Sequence, residues 1–322
     1  MTMSSSPVRW AVLGSANIAA KVFLPAMRAA GGRAVVVGSR RPEQAREWAA
    51  QNHVESTADY AAAIAHPDVD AIYIALPNDQ HIQWAKAASA AGKPVICEKP
   101  LGLDAAQVAD LLSTVSVDAP LWEAFAFPFH PQTGLLRQLI DDGELGELRE
   151  IISEFHFNLA TTENIRLVPQ LGGGALYDVG CYPIRLARML FGSEVETAVA
   201  SSAAAGSGVD IETAAIANFA SGQRLILSAG MRRPVSTFTR IMGSSAELSV
   251  SNPFHPKPVD TVELWRDGSL KNTWTADPKS AFQHMIEHVQ QVSRGHDAQW
   301  LASQTALGNA QALDLIRAAA RA

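Results

Sequence analysis

Residues 8–13 form a short apolar run that stops at Gly14, and 17–30 follow with helical spacing up to Gly31-Gly32. A second apolar run covers 33–38. Pro42 then stands where a first helical turn accepts proline, and 42–51 reads as helix. The alternation continues with a strand over 71–76 ended by Pro77-Asn78, an Ala-rich helix over 79–91 closed by Gly92, a strand over 94–97, a helix over 104–115 and a strand over 120–124. Strands separated by helices of this length predict parallel βαβ units in a doubly wound sheet.

Beyond about Phe125 the texture changes. Residues 150–159, 194–204, 213–219, 224–230, 237–242, 246–250 and 259–265 read as strands, with tight turns such as Ser221-Gly222 and Asp267-Gly268 between them. The small residues of 203–208 fit a hairpin loop. Helices return over 279–294 and 303–320. The fold class is therefore α/β: a Rossmann-type doubly wound parallel sheet over 1–124, then an α+β domain over 125–322 with a mainly antiparallel sheet. The last helix is expected to be able to pack back on the first domain.

Composition narrows the function. The chain has 322 residues, 48% hydrophobic and 18% charged, enough to bury a core and unlike a disordered segment. Net charge is −6, which disfavours nucleic acid and anionic membrane as partners. No apolar run approaches the roughly 18 residues of a membrane helix. Residues 1–7 show no signal-peptide pattern. Cys97 and Cys181 cannot build a disulfide framework or a Cys-rich zinc site. The expectation is a soluble cytoplasmic protein without a metal.

The first strand delivers Gly14, Ser15, Ala16, Asn17, Ile18 and Ala19 into a helix. This fits the dinucleotide fingerprint G-x-G-x-x-G/A, with Ala16 at the second glycine. Such a turn offers main-chain amides at a helix start to a pyrophosphate; an ordinary strand–turn–helix is the alternative. The second strand ends in Ser39, Arg40 and Arg41, where NAD sites usually carry an acid for the ribose hydroxyl. Arginine suits a phosphate, so NADP(H) is the expected cofactor, with NAD(H) possible. The fourth strand of this reading runs into Glu98, Lys99 and Pro100, which puts Lys99 at the ligand end of the sheet. In the second domain, Gly172-Gly173-Gly174 lead to Asp178 and Tyr182, four apart and on one face if helical. A carboxylate, a phenol and a lysine make a proton-transfer set, because a nearby ammonium favours phenolate.

These residues resemble the Gfo/Idh/MocA oxidoreductases. The Gly14 turn, Leu76-Pro77-Asn78-Asp79-Gln80-His81, Glu98-Lys99-Pro100, the stretch from Glu123-Ala124-Phe125 to His130-Pro131-Gln132, and the glycine run ending at Pro183 occur in family order. Tyr182, where inositol-dehydrogenase-like members carry His, is similar to the branch of glucose–fructose oxidoreductase, NADP D-xylose dehydrogenase and dimeric dihydrodiol dehydrogenase. The resemblance implies a large open sheet that supports a homodimer or homotetramer. It implies catalytic Lys99 and Tyr182, with Asp178 orienting substrate or tyrosine, and a cofactor crevice lined by Leu76, Asn78 and His81. Two departures stand out: Ala16 in the fingerprint, and Pro128 where related chains carry a basic residue.

Arg166 and Phe127 are candidate substrate contacts, and His130, His156 and the two cysteines fit a core. The resulting expectation is an NAD(P)-dependent oxidoreductase moving hydride between nicotinamide and a sugar-like hydroxyl or carbonyl. A trans-dihydrodiol dehydrogenase or dicarbonyl reductase is one alternative. A non-catalytic NADP-binding sensor is another.

Overall fold

The computed structural model describes residues 6–116, 118–161, 163–294 and 302–321. The chain divides into two compact units: Met1–Gly102, Ala106–Phe125 and Phe282–Thr305 make the first, and Leu103–Ala105, Ala126–Ala281 and Ala306–Ala322 the second.

Among the described residues, the first unit holds a six-stranded parallel sheet. Its strands are β1 (Arg9–Leu13), β2 (Arg33–Gly38), β3 (Ser56–Ala58), β4 (Ala71–Ile74), β5 (Val95–Cys97) and β6 (Leu121–Glu123), in the order β3-β2-β1-β4-β5-β6. Between them run α1 (Leu24–Ala29), α2 (Pro42–Gln51), α3 (Tyr60–Ala65), α4 (His81–Ala90) and α5 (Ala105–Leu112). β4 and β5 are buried at every residue, as a sheet covered on both faces requires. Phe23 pins the first helical run to the sheet: its ring stacks on Tyr73 at 3.8 Å and meets Trp10 edge-on at 5.3 Å. The strand order reverses direction between β1 and β4, and ligands of such sheets sit beyond the strand ends at that point. β3 and α3 were not expected from the sequence. The strand is three residues long, and the helix is marked only by the cap of Asp59, whose Oδ1 accepts from Ala62 N at 2.7 Å.

The second unit begins with α6 (Pro131–Asp141) and includes α7 (Cys181–Phe191). Its sheet is built from β7 (Leu148–Asn158), β8 (Val195–Ala204), β9 (Asp210–Phe219), β10 (Arg224–Gly230), β11 (Arg232–Ser236), β12 (Thr239–Gly243), β13 (Glu247–Val250), β14 (Thr261–Arg266) and β15 (Ser269–Thr275). Among the described residues the order is β15-β14-β13-β12-β7-β10-β9-β8, with β11 added to β7. The pairs are antiparallel except β7 with β10, so the sheet is mixed. One face is apolar and carries α7; there Ile151, Leu225, Leu227, Ala217, Ile241 and Leu248 are buried. On the other face, Val199, Ile216, Ile226 and Ile152 fall into register as one row across β8, β9, β10 and β7. β11 and β15 escape sequence reading because both are polar and largely exposed. The chain ends in α8 (Ala281–Ser293) and α9 (Ala302–Ala319).

Candidate active site

The glycine turn follows β1. Gly14 has φ +100°, its N–H donates to Gly38 O at 2.9 Å, and a Cβ there would stand 2.5 Å from Ala75 O. Glycine is thus required by the close packing of strand ends as well as by the dihedral. Ser15 and Ala16 are half-buried, and Asn17 and Ile18 are exposed where the helical run begins. That run opens with a wider π-type turn, Ala19–Phe23, before α1. At the end of β2, Ser39 is buried and its Oγ accepts from Arg41 N at 3.1 Å, while Arg40 and Arg41 are exposed. Exposed guanidiniums, small turn residues and a helix start at the reversal of strand order are the donor set a dinucleotide phosphate needs.

Lys99 lies in a loop held from several elements of the first unit. Glu98 N donates to Ile74 O at 3.0 Å, and the Tyr73 hydroxyl donates to Glu98 Oε1 at 2.6 Å. The Lys99-Pro100 peptide is cis. Leu101 N donates to Glu123 Oε1 at 2.9 Å, on a carboxylate only 7% exposed. His81 is fully buried; Nδ1 lies 2.8 Å from Pro100 O and Nε2 2.9 Å from Leu76 O. Burial, aided by the Lys99 charge, holds its imidazole below the ordinary histidine pKa. The ring therefore presents no surface to a cofactor. The residue expected to line the crevice is thus found as a buried support between Leu76 and Pro100. Leu76 is buried and Asn78 half-buried in the same turn. Cys97, buried beside Glu98 and Glu123, has its thiol pKa pushed well up and is an inert core group.

In the second unit, the glycine run folds back on the loop before it. Gly174 N donates to Arg166 O at 3.0 Å, and Gly174 has φ +128° against the Asp210 carboxylate. Asp210 Oδ2 accepts from Leu176 N at 2.7 Å and so caps the next helical run. That run is a π-type turn, Leu176–Gly180, continuing into α7. Such wide turns recur at functional sites. Asp178 lies in it and receives a hydrogen bond from Arg166 Nε at 2.6 Å. The Arg166 guanidinium also lies 5.8 Å from the Phe157 ring.

Tyr182, only 7% exposed in the first turn of α7, sits among aromatic rings: Phe155 at 5.2 Å, Phe254 at 5.3 Å, His255 at 5.4 Å and Phe127 at 6.3 Å between centroids. Phe127 is itself fully buried, with its ring against Tyr182 and Phe254. Phe254 and His255 were missed by sequence reading. They sit in the turn Asn252-Pro253-Phe254-His255-Pro256, tied by Asn252, whose Oδ1 accepts from His255 N at 3.1 Å and whose Nδ2 donates to Asp260 Oδ2 at 3.0 Å. Two prolines around a Phe-His pair were the available signal. His130 and His156 are buried, as expected of core histidines.

Fold and side chains together define a two-unit, NAD(P)-binding Rossmann oxidoreductase. The family models agree: "Oxidoreductase family, NAD-binding Rossmann fold" matches residues 8–117, and "GFO/IDH/MocA C-terminal domain" matches 134–249. The chain belongs to the Gfo/Idh/MocA family and is an enzyme of the dehydrogenase/reductase type. It is 30% identical over 281 residues to D-xylose 1-dehydrogenase (NADP(+)) 2 of Haloferax volcanii, covering 86% of each chain. It is 35% identical over 253 residues to a dTDP-3,4-didehydro-2,6-dideoxy-alpha-D-glucose 3-reductase of Saccharopolyspora spinosa, covering 78% of this chain and 76% of that one. Among solved structures, the 3-ketoreductase KijD10 of Actinomadura kijaniata, in complex with NADP and TDP-benzene, superposes with a TM-score of 0.87. It shares 28% identity, and the match covers 97% of this chain and 98% of that one.

Proposed function

We propose that the protein is an NADP-preferring oxidoreductase of a sugar-like hydroxyl or carbonyl, with Tyr182 as acid/base and Lys99 assisting it. The observation that carries this reading is Tyr182 itself, a phenol held in an aromatic nest at the start of α7, directly after a glycine run and a π-type turn. Relatives named as a xylose dehydrogenase and a dTDP-sugar reductase support the substrate class.

In this proposal Gly14, Ser15, Ala16, Asn17 and Ile18 hold the pyrophosphate, and Ser39, Arg40 and Arg41 the ribose phosphate. Leu76, Asn78, Glu98 and Lys99 hold the nicotinamide end. The nicotinamide, when bound, supplies or accepts a hydride. For carbonyl reduction Tyr182 gives its phenolic proton to the substrate oxygen; for oxidation it takes the hydroxyl proton. Lys99 supplies the positive charge that stabilises the phenolate between turnovers. Asp178, fixed by Arg166, orients substrate polar groups. The aromatic wall of Phe155 and Phe254 favours a ring substrate with an apolar face, which also supports a second reading, oxidation of a trans-dihydrodiol or reduction of a dicarbonyl by the same residues. The row Val199, Ile216, Ile226 and Ile152 supports a homodimer or homotetramer through that sheet face.

Proton transfer of this kind contributes roughly 10²–10⁴-fold. Tyr182→Phe is expected to lose turnover on that scale, while NADPH still binds as judged by its fluorescence. A panel of sugars, dihydrodiols and dicarbonyls assayed by NADPH absorbance separates the two readings. Normal turnover in the phenylalanine variant removes Tyr182 from the chemistry.

A further inference from the structure

We propose that His81 and Glu123 are positioning residues that clamp the loop of Lys99 and tie it to the Leu76 turn, so that lysine and cofactor wall are preset as one piece. The inference rests on the reading of Lys99 as a catalytic group. It concerns the first unit alone.

Both flanks of Lys99 are fixed. On the N-terminal side, Glu98 is bound through its main chain to Ile74 and through its carboxylate to Tyr73. Tyr73 is in turn stacked on Phe23 in the core. On the C-terminal side, Pro100 O meets the His81 ring and Leu101 N meets Glu123. These holds come from β4, from the first residue of α4 and from the last residue of β6, so the loop is braced from three elements. His81 adds the second function. Its other nitrogen meets Leu76 O, so one fully buried ring joins the Leu76 turn to the Lys99 loop.

Burial opposes protonation of this ring, and Lys99 opposes it further, while the two carbonyls favour it. A neutral imidazole has one N–H. Whichever nitrogen carries the proton, the ring sits within hydrogen-bond distance of both carbonyls, and its contribution to the loop is rigidity. A group that reacts must be held within about 0.5 Å of its working position by such supports. Neither His81 nor Glu123 needs to touch substrate for this.

The test uses the full chain without cofactor first. Lysine modification by reductive methylation, followed by peptide mass spectrometry, reads the rate at Lys99. Releasing the clamp in His81→Ala or Glu123→Ala is expected to change that rate at least threefold while modification of Lys271 is unchanged. If His81→Ala does not fold, His81→Gln serves, since its amide can still donate to one carbonyl and is expected to give an intermediate rate. The second measurement is a double-mutant cycle on kcat. His81→Ala is expected to cost ten- to a hundredfold in the parent and less than twofold in a Lys99→Ala background. An unchanged rate at Lys99, or kcat losses that multiply, overturns the clamp. Full turnover in Lys99→Ala alone instead overturns the catalytic reading of Lys99 and is seen without reference to His81.

Discussion

Arg166 Nε donates to Asp178 Oδ2 at 2.6 Å, tying the loop before the glycine run to the helical turn that leads into Tyr182. The carboxylate side chain is 14% exposed and the guanidinium 41%, so the pair is neither a surface bridge nor a buried one. Removing the cation leaves a largely covered carboxylate that has lost a charged hydrogen bond. Arg166→Ala is expected to lower stability by about 1–2 kcal/mol. It is also expected to raise KM for the organic substrate about tenfold, because Asp178 then loses the guanidinium that fixes its Oδ2. Arg166→Lys keeps the charge but not the planar fork and recovers only part of the loss. Thermal melts and steady-state kinetics check both effects; unchanged KM in the alanine variant removes Asp178 from substrate orientation.

The end of β2 makes a separate prediction about cofactor choice. Arg40 and Arg41 are exposed, and the Ser39 Oγ accepts from the Arg41 amide. In the proposed reading the two guanidiniums supply the charge that receives a 2′-phosphate, beside the Ser39 hydroxyl. Arg40→Asp is expected to raise KM for NADPH at least tenfold and to change KM for NADH less than threefold. Raising salt is expected to weaken NADPH binding more than NADH binding, since exposed charges are screened. Equal effects on both cofactors refute the assignment.

The contrast between these two sites shows what the sequence makes legible. Gly14, the apolar runs around it and the arginines after β2 are local signals: a period, a turn and a charge within a few residues. The parallel sheet follows from them. The surroundings of Tyr182 are not local. Phe254 and His255 reach it from 72 and 73 residues further on, through a sheet whose order joins β7 to β10 and β12. No periodicity encodes that pairing. His81 illustrates a different limit. A histidine five residues beyond a strand can face a ligand or the core, and the choice is made by two carbonyls supplied by Leu76 and Pro100. Phe127 poses the same choice, since an aromatic near a site is equally suited to line it or to back it, and here the ring is buried.

The aliphatic row on the second sheet, exposed at β8 and β9 and half-buried at β10 and β7, tests the proposed oligomer. Val199 is 63% and Ile216 37% exposed, aligned with Ile226 and Ile152 across four strands. In the proposed homo-oligomer this row is the face that meets a second copy. Ile216→Lys puts a charge in its middle and is expected to shift sedimentation towards monomer, with secondary structure unchanged by circular dichroism. A charge there that leaves the sedimentation coefficient unaltered places the interface elsewhere.

Three histidines set the expected response to acid. His81, His156 and His288 all have their pKa lowered, in each case chiefly by burial. His156 lies in β7 between β10 and β11, with Nε2 3.0 Å from Ser228 Oγ and, among the described residues, no hydrogen-bond partner at its buried Nδ1. Arg233 pushes its pKa further down, while Glu154 and Glu212 act the other way. In the folded protein these rings stay neutral near pH 6.5, whereas the unfolded chain takes up protons there. Stability from neutral burial is thus present above about pH 6.5 and is lost as pH falls from there towards the depressed folded values. The slope is at most about 1.4 kcal/mol per pH unit for each histidine. The midpoint of thermal unfolding is expected to fall between pH 7.5 and 5, before carboxylates titrate. His156→Gln, which keeps a polar head without a titrating ring, is expected to flatten that slope by about a third. A midpoint that holds or rises over this window contradicts the neutral burial of these rings.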